Sequence, residues 1–265
     1  MPRSFIRVFV LVAVVLASGA ASAADVKVLI SAGFFKVYSE LGPAFEKSTG
    51  HKLVTTRGPS VGDSPEAIPA RLARGEEADV VIMDGVGVDL LDQRALTRPG
   101  SRVPLAESFI GMVVRAGEPR PDISTIEGLR KTLLAAKSIA YSDSTSGTYL
   151  STIGFKKLGV ADEVAGKTRK VRGPPSGEPV AAVVARGEAE VGFQQVAELI
   201  HVAGADFVGT VPAEIQPPTF FVGALPTNSQ HPDAAVALLR FLSSAEAASV
   251  ITKAGLKPLA GEKKM

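Results

Sequence analysis

The chain has 265 residues, 46% of them of hydrophobic type, with 29 basic against 27 acidic side chains and no cysteine. So slight a positive excess argues against a protein that holds nucleic acid through bulk charge. Without cysteine there is no disulfide, so the chain must rely on an ordinary hydrophobic core, with material for one large domain or two smaller ones.

The first segment reads as a secretory signal peptide over residues 1–23. Arg3 and Arg7 precede an apolar core from Phe9 to Ala17, and Ala21-Ser22-Ala23 offers small residues for cleavage near Ala23. The apolar run is shorter than the roughly 20 residues needed to cross a bilayer, and no second one follows. A lipid anchor would need a cysteine. The mature protein is therefore expected in the periplasm as a monomer not embedded in a membrane.

From Val26 the sequence alternates between strand and helix. Val26 to Ile30 is a β-rich run closed by Ser31-Ala32-Gly33, and Phe35, Tyr38, Leu41 and Phe45 then follow at helical spacing. Lys52 to Thr56 reads as a strand, Glu66 to Arg74 as a helix, Asp79 to Met83 as a central strand and Val88 to Arg94 as a helix. Such alternation predicts β-α-β units with a largely parallel sheet. An extended run, Ser108 to Val114, reads as a crossing into a second lobe. There a helix over Ile123 to Lys137 with Ser124 as N-cap, a strand Ser138 to Tyr141, a helix Thr148 to Leu158, a helix Val180 to Arg186 and a strand Glu190 to Phe193 repeat the pattern. Pro217 to Leu225 reads as the strand leading back, and amphipathic helices over Asp233 to Leu242 and Ala245 to Ala254 close the chain. The expected division is residues 24–106 with 222–265 as lobe 1, and 107–221 as lobe 2.

Ligands in open parallel sheets gather where strand ends meet helix N-termini, whose free amides suit anions. Four loops at such places are rich in glycine and hydroxyl residues, two from each lobe. They contribute Ser31, Gly33 and the adjoining Phe34; Arg57, Ser60 and Ser64; Ser146, Gly147 and Thr148; and Arg172, Ser176 and Gly177. Small residues let backbone amides approach an oxyanion, and Arg57 and Arg172 suit a two-point grip on a carboxylate. The candidate ligand is thus a small anion. Asp84-Gly85-Val86-Gly87 lacks the third glycine of a dinucleotide loop and reads as a turn into a helix. No Gly-x-Ser-x-Gly elbow occurs, and His51, His201 and His231 are not in metal-ligand spacing, so neither a hydrolase triad, a metal nor a cofactor is expected.

Ser31-Ala32-Gly33-Phe34, Ala70 to Gly75 leading into Ala78-Asp79-Val80-Val81-Ile82, Ser146-Gly147-Thr148-Tyr149, Ala185 to Phe193 and Arg240 to Ala248 resemble the periplasmic molybdate-binding proteins and their wider solute-binding family. The resemblance implies an α/β, two-lobed periplasmic binding protein type 2 fold, each lobe a mixed, mainly parallel sheet flanked by helices, joined by two crossing strands. It also implies capture of a solute for an ATP-driven permease. The first-loop serine of those proteins matches Gly33 here and their second-lobe tyrosine matches Gln195, which draws Gln195 into the candidate site and weakens molybdate as ligand. Val191 to Leu199 resembles a branch that includes exported aconitate isomerases, so the rival to a binding protein is an enzyme. Such an enzyme moves a proton between allylic carbons of a tricarboxylate, with Glu178, Glu198 and Asp63 as candidate bases.

Overall fold

The computed structural model describes residues 23–259; residues 1–22, on which the signal-peptide reading rests, and 260–265 lie outside it. In chain order the elements are β1 Asp25–Ile30, α1 Ala32–Thr49, β2 Lys52–Arg57, α2 Ile68–Ala73, β3 Val80–Asp84, α3 Gly85–Gln93, β4 Val103–Ser108, β5 Ile110–Arg115, α4 Ile126–Ala135, β6 Ile139–Ser142 and α5 Thr145–Tyr149. A π turn, Leu150–Gly154, leads into α6 Phe155–Lys157, followed by α7 Ala161–Ala165, β7 Thr168–Val171, α8 Val180–Ala185, β8 Val191–Gln195, α9 Val196–Leu199, β9 Ala205–Thr210, β10 Thr219–Ala224, α10 Pro232–Leu242, α11 Ala248–Lys253 and β11 Lys257–Pro258.

Two sheets organise these elements, one in the order β11-β4-β10-β3-β1-β2 and one in the order β7-β6-β8-β5-β9. Both are mixed, and the parallel part is smaller than the alternation predicts. β1 pairs parallel with β2 and β3, and β6 with β7 and β8, whereas β10, β11, β5 and β9 pair antiparallel. The reason is connectivity: strands that cross between sheets must run back along their neighbours. The outward crossing takes one residue, Phe109, between β4 and β5. The return runs from β9 to β10, and Ser108 pairs with Thr219, so both expected junctions, 106/107 and 221/222, fall inside strands of the first sheet.

Each sheet has helices on both faces. β3, Val-Val-Ile-Met-Asp, is buried throughout, as a strand covered on both sides must be. One face of the first sheet packs Phe34, Val37 and Phe45 of α1 with Leu238, Leu239 and Leu242 of α10; the other packs Leu72 of α2 with Val88 and Leu91 of α3. The second sheet is covered by Leu129 and Leu133 of α4 on one face and by Val180, Val183 and Val184 of α8 on the other. α1 ends at Gly50, whose left-handed φ of 77° lets its N–H reach the Glu46 carbonyl.

Asp79, just before β3, ties the first lobe to the approach of α10. Its carboxylate accepts from Lys27 N, Ser229 Oγ, Gln230 N and His231 N at 2.7–3.1 Å. Burial alone would raise its pKa, but these donors outweigh burial and hold it below the ordinary carboxylate value.

Three local readings are corrected. Thr125, not Ser124, caps α4, its Oγ1 accepting from Gly128 N, while Ser124 N donates to Asp122. The helix expected from Thr148 starts at Thr145 and passes through the π turn. The last helix begins at Ala248 because Ser243 and Ser244 serve the turn after α10.

Candidate functional site

The carboxyl ends of the strands of the two lobes face each other across a cleft. All four predicted loops reach it, through Ser31 and Gly33, Gly58 to Ser60, Ser142 to Ser146, and Gly173 with Pro174. Gln194 and Gln195 of β8, Glu198 of α9, Asp84 of β3 and Thr219 with Phe221 of β10 complete the lining.

Ser31 is the N-cap residue of α1, yet its hydroxyl makes no capping bond. Its Oγ is buried without a hydrogen-bond partner, and its N–H is engaged by the Ile82 carbonyl. A buried hydroxyl left unpaired costs about 1–3 kcal/mol, so this atom is poised for a guest. Ser60 Oγ accepts from Asp84 N at 3.2 Å and helps shape the end of β3. Ser146 is buried in a hydroxyl cluster with Ser142 and Ser144. Gln195 reaches the crossing strands: Ser108 Oγ donates to its Oε1 at 2.6 Å, and its Nε2 donates to Thr219 Oγ1 at 2.9 Å.

Arg57 ends β2 beside the cleft, though it is not among the lining residues. Its guanidinium lies 4.2 Å over the Phe35 ring, and its buried Nε has no partner. Burial lowers its pKa, partly offset by Glu198. Glu198 lines the cleft, and its carboxyl is pushed up to about 7. Desolvation is the main cause; Arg57 and a hydrogen bond from Gln194 pull the other way, while Asp143 and Asp84 add to the rise. At neutral pH its acid and carboxylate forms are therefore both populated.

Several candidates fall elsewhere. Phe34 is fully buried in the first core, packed against Phe221. Gly147 is buried under Ser142, whose carbonyl a β-carbon would overlap, and Thr148 is exposed and serves the start of α5. Arg172, Ser176 and Gly177 are exposed outside the cleft. Arg172 and Ser176 belong instead to a bridge between the lobes, where Arg172 Nη2 donates to Ser64 Oγ at 3.2 Å and Ser176 Oγ to Glu66 Oε2 at 2.6 Å. Deeper in, Thr145 Oγ1 donates to Asp84 Oδ2 across the lobes at 2.7 Å. Asp63 is exposed in its loop. Glu178 is held by Arg186 in a two-point ion pair at 2.6 Å, which keeps its pKa low and makes it a poor base.

The sequence reading passed over Asp84, Thr219 and Phe221. Asp84 ends an all-apolar strand before a helix, which was a usable signal, because such a residue sits at the carboxyl edge of the sheet. No local pattern marks Thr219 or Phe221, which reach the cleft only because β10 lies beside β3.

Two mixed sheets joined by crossing strands, with helix N-termini and buried donors converging between them, define a two-lobed solute-binding protein. The sequence profile of the bacterial extracellular solute-binding proteins matches residues 26–257. The chain belongs to that family. It is 49% identical over 232 residues, 88% of this chain and 87% of the relative, to an aconitate isomerase from a Pseudomonas species. Identity to the molybdate-binding protein ModA of Azotobacter vinelandii is 27% over 261 residues, 96% of this chain and 98% of the relative. Among solved structures, the Azotobacter vinelandii periplasmic molybdate-binding protein superposes with a TM-score of 0.68 at 22% identity, covering 88% of this chain and 98% of that one. The sulfate-binding protein SubI from Mycobacterium tuberculosis superposes with a TM-score of 0.68 at 19% identity, covering 91% and 88%. These two likenesses establish the shared fold.

Proposed function

We propose that the cleft takes a small tricarboxylate and isomerises its double bond, interconverting cis- and trans-aconitate in the periplasm after removal of the signal peptide. The observation that carries this reading is Glu198: a carboxyl with a pKa of about 7 lining the same cleft as the unpaired Ser31 hydroxyl, with the Arg57 guanidinium close enough to affect it. The relative at 49% identity, an aconitate isomerase, supports the same chemistry.

In the proposed step Glu198, as carboxylate, takes a proton from the methylene carbon beside the double bond. The electron pair of that C–H bond shifts the double bond by one position, and the proton returns to the former vinyl carbon, so no proton is gained or lost overall. A base with a pKa near the working pH suits both halves of the transfer. Charge that builds on the substrate carboxylates meets Arg57, Ser31 Oγ and the amides at the start of α1. Arg57, half-buried and stacked on Phe35, is the cation placed to offset a desolvated carboxylate.

The second reading is a binding protein that delivers an anion to a permease, favoured by the family as a whole and by the bridges that join the lobes. Proton NMR of purified protein mixed with excess trans-aconitate separates the two. Turnover that disappears in Glu198→Gln supports the isomerase; saturable binding with an unchanged isomer ratio leaves the binding protein.

A further inference from the structure

We infer that Phe221 is a specificity-determining wall of the cleft, selecting ligands with oxygens at their ends and carbon in the middle; this rests on the tricarboxylate reading above. Among the described residues that line the cleft, Phe221 is the one aromatic side chain, set among hydroxyls, amides, carboxyls and small residues. An oxyanion such as sulfate presents oxygen in every direction and would press one desolvated oxygen against the ring without a hydrogen bond. A tricarboxylate can turn its charged ends to the polar groups and lay its carbon chain on the ring, where apolar contact is favourable and water is kept from the reacting C–H bond.

Three features built into the fold set the ring in place. A β-carbon at position 33 would overlap Phe221 Cζ and lie 2.8 Å from Cε1, so Gly33 is what leaves room for the ring edge at the cleft. The β10–β4 ladder also slips at this point: Phe221 faces Ala106 and Val222 faces Pro104, which leaves Leu105 as an extra residue, a bulge of the kind that re-aims side chains. Phe34, at a ring-centroid distance of 6.2 Å, supports the ring from the core. Phe221 is only 2% exposed and packs mainly in the first core, so its ring offers the cleft no more than an edge, which a side chain at position 33 would displace.

The test is titration calorimetry of the full mature protein with trans-aconitate, its saturated analogue tricarballylate, sulfate and molybdate. Phe221→Ser is expected to lower the preference for tricarboxylates over the oxyanions by about tenfold or more, mainly through lost tricarboxylate affinity, and Phe221→Met to recover most of it. Gly33→Ala, which displaces the ring without removing it, is expected to act in the same direction and keeps the test open should Phe221→Ser not fold. Wild-type protein that binds the tricarboxylates, with variants that lose thermal stability but keep the wild-type preference, would reduce Phe221 to a core residue while leaving the proposed function intact. Wild-type protein that binds no tricarboxylate would overturn both.

Discussion

Replacing Glu198 by glutamine keeps the side chain's shape and removes its titration, which isolates the property the proposed chemistry needs. The carboxyl sits at about 7 in the fold against an ordinary 4.5. At about 1.4 kcal/mol per pH unit that displacement is worth about 3 kcal/mol, and partial solvent access reduces it to about 2 kcal/mol. The sign follows from proton counts: between pH 4.5 and 7 the folded state holds the proton that the unfolded chain has lost, so stability falls as pH rises. Wild-type protein should therefore lose about 2 kcal/mol relative to Glu198→Gln across that window, read from urea midpoints at constant m. The difference should level off above pH 8, where both states are ionised. Parallel stability curves for the two proteins would mean that the group titrates normally and that the argument for it as the base is wrong. In the same variant the isomer ratio of added aconitate should stay fixed.

Four further outcomes are expected. Ser31→Ala should weaken ligand binding by about 1 kcal/mol in calorimetry while raising the melting temperature of the ligand-free protein, because it removes a buried hydroxyl that has no partner. Arg57→Met should cost about 2–5 kcal/mol of tricarboxylate affinity. It should also move the acid limb of the activity profile to higher pH, since Arg57 holds the Glu198 pKa down. Arg172→Ala removes an exposed bridge between the lobes, so its effect on affinity should stay below about 1 kcal/mol; a loss as large as that of Arg57→Met would place Arg172 on the ligand. Asp79→Ala strands four donors and should destabilise the fold by about 3–5 kcal/mol in urea titration without changing ligand specificity. The contribution of Asp79, whose pKa is depressed, is present above pH 3.8 and is lost as pH falls through its folded value.

The alternation of β-rich runs with amphipathic stretches was enough to read strand-helix units in both halves of the chain, because periodicity depends on which face each residue turns inward. Glycine and hydroxyl residues after strands marked the four loops that reach the cleft, for the equally local reason that tight turns and helix starts need them. Which members of those loops face the ligand was a different matter. Ser31 and Ser146 turn inward, while Arg172 and Ser176 turn outward to bridge the lobes, a choice set by how the lobes approach each other. β7 has only four residues, and β9, though six residues long, is partly buried from Ala205 to Gly209 without an in-out pattern, so alternation declares neither.

Sequence alone therefore determined the class of fold, the likeness to solute-binding proteins and the neighbourhood of the cleft, all of which follow from local pattern. Tertiary structure decided the chemistry. Glu198 becomes a neutral-range acid only because α9 is folded against the cleft beside Arg57, Asp143 and Asp84. Phe221 becomes a wall only because β10 returns next to β3 and meets Gly33. Desolvation and through-space charge depend on residues distant in the chain, and no local pattern encodes them.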